Sequence, residues 1–203
     1  SRNKKQNRLL MILGLMTFLA SGDTYSAAPL LLNISNDLGI DFGQATLSVT
    51  AYMLVFGLFT ILYGPLGDRF GKTKIIKLAA FGTAIFSCIG AIAFNLSSLI
   101  IFRAINGAFA SGIFPVAIAI AGESVNQLEH KNKYSTNEIR QKSIGKVMGM
   151  MFLGSASATA VGGLIAYFGS WRYVYLIYGV AELILAFIML KALKPSAGTI
   201  TTL

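Results

Sequence analysis

An all-α membrane protein of six transmembrane helices is predicted by three observations: apolar composition, six hydrophobic runs of spanning length, and one-sided positive charge. Of the 203 residues, 55% are hydrophobic and 12% are charged, far from the balance of a soluble domain. A helix rises about 1.5 Å per residue, so about 20 apolar residues cross roughly 30 Å of hydrocarbon. Runs of that length cover Leu9–Leu32, Gln44–Pro65, Ile75–Phe94, Ser98–Ala121, Ile144–Phe168 and Tyr173–Leu190.

The first run follows Arg2, Lys4, Lys5 and Arg8, like the front of a signal peptide. It is longer than a signal h-region and five more runs follow, so it reads as a retained helix. Arg69, Lys72, Lys74 and Lys77 follow the second run, Lys131, Lys133, Arg140, Lys142 and Lys146 the fourth, and Lys191 and Lys194 the sixth. Fifteen of the 17 Lys and Arg thus fall on one side of a six-span zigzag. The positive-inside rule makes that side cytoplasmic, with both termini inside and the chain multi-pass in the cell membrane. Placed this way, the net charge of +9 meets lipid headgroups and implies no nucleic-acid partner. The opposite connections hold Asp37, Asp41 and Arg172.

Connections are short except Gly122–Gly145, which reads as a solvated cytoplasmic loop carrying His130. Cys88 lies inside the third span, so cysteine frames neither a disulfide network nor a metal site. Around Trp171, the rings of Tyr167, Phe168, Tyr173, Tyr175 and Tyr178 are expected to anchor spans five and six at headgroup level. Residues 195–203 read as the start of a linker or tail.

Gly64, Leu66, Phe70 and Gly71 at the end of span two recur 98 residues later as Gly162, Leu164, Phe168 and Gly169 at the end of span five. Those ends lie on opposite membrane faces, as they would if spans one to three (about 9–94) and four to six (about 98–190) were repeats of inverted orientation.

The turn between spans two and three reads Gly64-Pro-Leu-Gly-Asp68-Arg69-Phe-Gly71-Lys72-Thr-Lys74. The chain reverses there within a few residues, which suits Gly71, and Gly64 and Gly67 permit close helix approach. Asp68 can accept from the free N–H groups of a neighbouring helix and face its positive dipole end. A plain positive-inside turn explains the lysines but not an acid between two glycines. The segment resembles the signature loop of the major facilitator superfamily, Gly-x-Leu-Ala-Asp-Arg-x-Gly-Arg-Lys. It differs by Gly67 for alanine, Lys72 for arginine and Thr73 for the next basic residue. The resemblance implies a six-helix, amino-terminal half of that fold, built from two inverted three-helix repeats. It also implies that Asp68 and Arg69, with Gly64, Gly71 and Lys72, form a cytoplasmic gate that clasps a helix of the other half.

Three charged residues lie more than a helical turn inside the spans. Arg103 costs at least about 2.5 kcal/mol in hydrocarbon, so it either faces the bundle interior with a partner or snorkels to the outer headgroups. Leu99-x-x-x-Arg103-x-x-x-Gly107 is similar to the family's second motif, whose arginine is associated with proton coupling. Pro115 is expected to kink that helix, and Gly107 with Ser111 to give it a narrow packing face. Asp23 stands in Ser21-Gly-Asp-Thr24-Tyr25, ahead of Ala28-Pro29, which resembles the first helix of drug/proton antiporters. Burial favours its neutral form and a nearby cation its ionised form, so it is the candidate switch; satisfaction by Thr24 or a water is the alternative. Glu182, near the middle of span six, is a second proton or cationic-substrate site, or a neutral acid bonded to a neighbouring helix. Glu123 reads as a boundary charge.

In span five, Gly154, Ala158 and Gly162 form one ridge and Ser155, Thr159 and Gly163 another, allowing close helix approach. This is similar to the antiporter motif Gly-x-x-x-Gly-Pro-x-x-Gly-Gly, with Ala158 and Thr159 in place of Gly-Pro, so a straighter helix is expected.

The resemblance implies a proton-coupled secondary transporter exporting small amphipathic compounds or drugs. The coupling set would be Asp23, Arg103 and Glu182, the cavity set Tyr25, Tyr52, Met53 and Phe56, and the energy source a proton gradient with no cofactor. The alternatives are a sugar or organic-anion symporter, with Arg103 as the anion contact, and a non-transporting membrane sensor or assembly protein. Expected partners are the bilayer, a small-molecule substrate, and a carboxy-terminal six-helix half or a second copy of the chain. Enzyme readings lack support: no His-Glu-x-x-His, Gly-x-Ser-x-Gly or phosphate-cradling Gly-Lys-Ser/Thr sequence occurs.

Overall fold

A computed structural model of the chain describes residues 2–127 and 133–195. His130, Lys131 and residues 196–203 lie outside the described residues. The elements are α1 (Arg2–Ser26), a short 3₁₀ turn (Ala28–Leu30), α2 (Leu31–Leu38), α3 (Phe42–Phe70), α4 (Lys72–Gly90), α5 (Leu96–Ala110), α6 (Ile113–Ser124), α7 (Lys133–Phe168) and α8 (Trp171–Ala192). They make six segments long and apolar enough to cross a membrane, beginning with Asn3–Leu38 and with Leu96–Ser124 as the fourth.

Two predicted spans are interrupted, each at a proline. Pro29 has no N–H for the Tyr25 carbonyl, and the chain tightens into the 3₁₀ turn between α1 and α2. Pro115 likewise strands the carbonyl of Ser111, where α5 gives way to α6, and Thr60 Oγ1 donates to that carbonyl from α3 at 3.4 Å. The expected kink is therefore a break at residues 111–112. By contrast, α7 has no proline and runs unbroken over 36 residues.

That length corrects the loop expected over residues 122–145, because α7 already begins at Lys133. Its polar first turns are held by Lys142 on Glu138 at 2.9 Å and by Arg140, whose Nε donates to the Gly122 carbonyl at 3.2 Å. Hydropathy marks where a helix enters hydrocarbon; backbone hydrogen bonding carries it further.

Helix starts follow local chemistry. Asn95 Oδ1 accepts from the Ser98 N–H at 2.8 Å while Ser98 Oγ accepts from the Asn95 N–H at 3.1 Å, opening α5 with a reciprocal cap. Ser170 Oγ accepts from the Arg172 N–H to open α8. Gly71, at φ +94°, makes the reversal between α3 and α4 in a region L side chains avoid.

The most extensive contacts join α1 to α7, α3 to α5 and α4 to α8. Numbered by span, these are one with five, two with four and three with six. Exchanging the first three spans for the last three maps that pattern onto itself, as two inverted three-helix repeats require. The 98-residue offset matches as well, since α3 ends at Phe70 and α7 at Phe168.

Two apolar clusters fill the bundle. One, around Leu13, Met16, Ile76, Ile113 and Leu185, occupies the end rich in Lys and Arg; the other, around Leu30, Ala91, Leu99 and Trp171, fills the opposite end. Between them in every contributing helix lies a polar layer holding Asp23, Thr83, Arg103, Asn106 and Glu182, all buried.

The aromatic belt expected around Trp171 is only half present. Tyr167, Phe168 and Tyr173 are exposed, but Trp171, Tyr175 and Tyr178 point inward. Trp171 Nε1 donates to Asp37 Oδ2 at 2.9 Å and Arg172 Nη1 donates to the Ala91 and Ala93 carbonyls, tying α8 to α2 and to the α4–α5 turn. At helical spacing, residues 171, 175, 178 and 182 share one face, and that face meets the core.

Candidate functional site

The polar layer centres on Arg103. Its side chain is 2% exposed and that of Asp23, facing it from α1, is 1% exposed, which excludes snorkelling. Nη1 lies 3.4 Å from Asp23 Oδ1 and Nη2 lies 3.5 Å from the Asp23 carbonyl. Both distances are long for charge-assisted bonds, which run to about 2.7–2.9 Å. The guanidinium is held instead by its faces: its carbon sits 4.6 Å from the Tyr52 ring centroid and 4.4 Å from that of Tyr175. Two desolvated cation–π contacts of this kind are each worth about 2 kcal/mol.

Five helices fix this arrangement. Tyr52 comes from α3, where its hydroxyl shares a 2.7 Å hydrogen bond with Thr24 Oγ1 of α1. Asn106, one turn after Arg103 on α5, turns its amide oxygen to Arg103 Nη1 (3.3 Å) and the Ser87 N–H (3.1 Å), and its amide nitrogen donates to Thr83 Oγ1 (2.9 Å), both partners being on α4. That orientation is the one that satisfies every neighbour. Ser26 Oγ donates to the Asp23 carbonyl at 3.0 Å. Tyr175 and Glu182 come from α8.

Glu182 is fully buried in the same layer, with Asp23 and Arg103 as its charged neighbours. Among the described residues neither of its oxygens has a donor, and Asp23 Oδ2 has none either. Two ionised carboxylates are acceptors only, so they cannot bond to each other. Leaving buried acceptors unpaired costs about 1–3 kcal/mol each. The layer therefore gathers two acids, one cation and the Tyr175 hydroxyl away from solvent.

Other predicted site residues lie apart from this layer. Asp68, 72% exposed, and Glu123 flank Lys72 Nζ at 3.3 and 2.9 Å at the basic end, and Arg69 lies over the Phe70 ring. Glu123, at the last turn of α6, is a boundary charge paired with Lys72. Of the cavity set, Tyr25 and Met53 are exposed and Phe56 is half-buried, stacked between Tyr52 and Phe114, whereas Tyr52 is enclosed against Arg103. Gly154, Ala158 and Gly162 are buried, Gly154 against Phe18 and Gly162 against Ser26 of α1, while Thr159 and Gly163 face outward. A Cβ at Gly154 would overlap the Phe18 carbonyl oxygen, so glycine permits that approach.

Tyr175, Thr83 and Ser87 join the layer without having been singled out for it. Tyr175 was legible, seven residues before Glu182 and hence on its face; Thr83 and Ser87 carry no local signal.

Comparison with known proteins places this geometry in context. A triacylglyceride transporter of Mycobacteroides abscessus is 30% identical over 165 residues, 79% of this chain and 30% of that protein. The puromycin resistance protein of Streptomyces alboniger is 30% identical over 141 residues, 70% of this chain and 26% of its own length. The crystal structure of a bacterial homolog of the human lysosomal transporter Spinster, inward-facing and unoccupied, superposes with a TM-score of 0.78 at 19% identity, covering 96% of this chain and 44% of that one. The chain spans less than half the length of these relatives. The family model of the Major Facilitator Superfamily matches residues 13–202, and with the six-span fold and the signature turn it establishes that the chain belongs to that superfamily of membrane transporters.

Proposed function

We propose that this chain is one half of a proton-coupled secondary transporter that exports small amphipathic compounds. The observation that carries the reading is the pair of buried carboxyls in the layer of Arg103, in which Asp23 Oδ2 and both Glu182 oxygens lack a donor among the described residues. A proton shared by Asp23 and Glu182 pairs one oxygen of each acid and removes one negative charge from the layer. Its loss leaves two negative charges around one guanidinium, a strain relieved when the helices part. Arg103, clamped between rings and bonded to α1 and α5, transmits the change to α3, α4 and α8. The relatives that confer puromycin resistance or carry triacylglyceride support an amphipathic or apolar substrate.

The remaining half, or a second copy, docks on α3 and α7 in this reading. Both present largely exposed faces, and a Cβ at Gly57, Gly64, Gly149 or Gly163 would meet nothing within 4 Å, leaving narrow surfaces for another helix. Exposed Asp68 and Arg69 then clasp that partner at the cytoplasmic side, and Tyr25, Met53 and Phe56 line the substrate path. The two repeats are residues 9–94 and 98–190, both termini are cytoplasmic, and the membrane is the cell membrane. Thiol labelling of cysteines placed at Lys74 and Lys142 in a Cys88→Ala background should mark both from the same, cytoplasmic face.

The functional test is puromycin movement in proteoliposomes with and without an imposed pH gradient. Gradient-driven export should vanish in Asp23→Asn and in Glu182→Gln. Full retained coupling in Asp23→Asn ends the proposal. Gradient-driven uptake in place of export would move the assignment to a symporter.

A further inference from the structure

At the basic end, α1, α4, α6 and α8 surround a cavity of about 610 Å³. Five cations line it, Lys5, Arg8, Lys72, Lys191 and Lys194, against one acid, Glu123. Glu123 is engaged by Lys72 at 2.9 Å. Among the described residues the other four cations form no ion pair with a carboxylate. Four like charges drawn around one hollow repel one another, and an anion inside it reverses the sign of that interaction for all four.

The walls specify the anion further. Arg8 offers a planar fork that matches two phosphate oxygens, the lysines add point charges, and Gln6, whose Nε2 donates one N–H to Ser124 Oγ at 2.8 Å, adds a second amide N–H beside them. Leu9, Ile12 and Leu193 line the same cavity, so an apolar wall adjoins the charges. A hollow with cations, hydrogen-bond donors and an apolar side at headgroup level suits a phosphate carrying acyl chains.

We propose that this cavity is a binding site for a phosphate-bearing anion, supplied by an anionic phospholipid of the inner leaflet. The site is separate from the Asp23–Arg103 layer, with the apolar cluster around Leu13 and Ile76 between them. It joins the first turns of α1 to the last turn of α8, so occupancy braces these two helices against each other at the basic end.

The test uses the purified protein in detergent, with bound lipid counted by native mass spectrometry and unfolding followed by emission of Trp171, the one tryptophan. Phosphatidylglycerol, phosphatidylcholine and glycerol 3-phosphate are added separately. Phosphatidylglycerol should be retained and should raise the unfolding temperature. The combined change Arg8→Gln, Lys191→Gln, Lys194→Gln should weaken it roughly 100-fold, at about fivefold per cation. Lys142→Gln with Lys146→Gln, which removes charge from the same end outside the cavity, should leave it unchanged. Lys194→Gln alone, about fivefold weaker, serves if the triple variant does not fold. Competition by glycerol 3-phosphate with the same variant dependence keeps the phosphate site and makes a free phosphate its ligand. Equal retention of phosphatidylcholine, or equal weakening by the cavity and control variants, overturns the site.

Discussion

Replacing Arg103 by methionine is the sharpest test of the buried layer, because it removes the charge while keeping an unbranched apolar stem. Asp23, 1% exposed, is then left without its cation. Breaking a buried pair from one side costs about 3–5 kcal/mol. The contacts with Tyr52 and Tyr175, at 4.6 and 4.4 Å, add a smaller loss, since the methionine thioether keeps part of the ring contact. Arg103→Met should therefore destabilise the protein by about 4 kcal/mol, and adding Asp23→Asn should return more than half of that. The assay is unfolding in mixed micelles followed by Trp171 emission. A cost below about 1 kcal/mol, or a double variant no more stable than the single one, refutes the idea that the acid and the cation hold each other in the bundle.

Three further outcomes follow from the same structure. Gly154→Leu should cost about 1–3 kcal/mol or more by driving a side chain into the Phe18 carbonyl of α1, whereas Gly163→Ala, which faces open space, should be neutral in the same unfolding assay. Gly71→Ala should cost about 1–2 kcal/mol in thermal stability, because its φ of +94° is strained for any residue with a Cβ. The Lys72–Glu123 pair, with side chains 24% and 58% exposed, should show a double-mutant coupling of only about 0.2–1 kcal/mol that fades in 0.5 M salt.

The fold was legible to the extent that the bilayer dictates it. Twenty-residue apolar runs and the segregation of fifteen cations specify six crossings, because lipid solvates neither bare backbone nor charge. The reversal at Gly71 and the ridge of Gly154, Ala158 and Gly162 were readable too, since a turn and a close helix approach restrict side-chain size locally. Helix ends were less so: hydropathy falls at the headgroups, but α7 continues outward to Lys133 on hydrogen bonds that polar residues make equally well.

The polar layer was half legible. Asp23, Arg103 and Glu182 announce themselves as charges inside apolar runs, and the amino-acid order alone determined that each needs a partner. Which partner was decided by tertiary structure, because residues 80 and more apart in the chain meet only when α1, α5 and α8 cross at the same depth. The inward turn of Trp171, Tyr175 and Tyr178 was decided there as well. An aromatic near a membrane surface suits headgroup or core equally by composition, and the free space beside Arg103 and Gly22 selects the core.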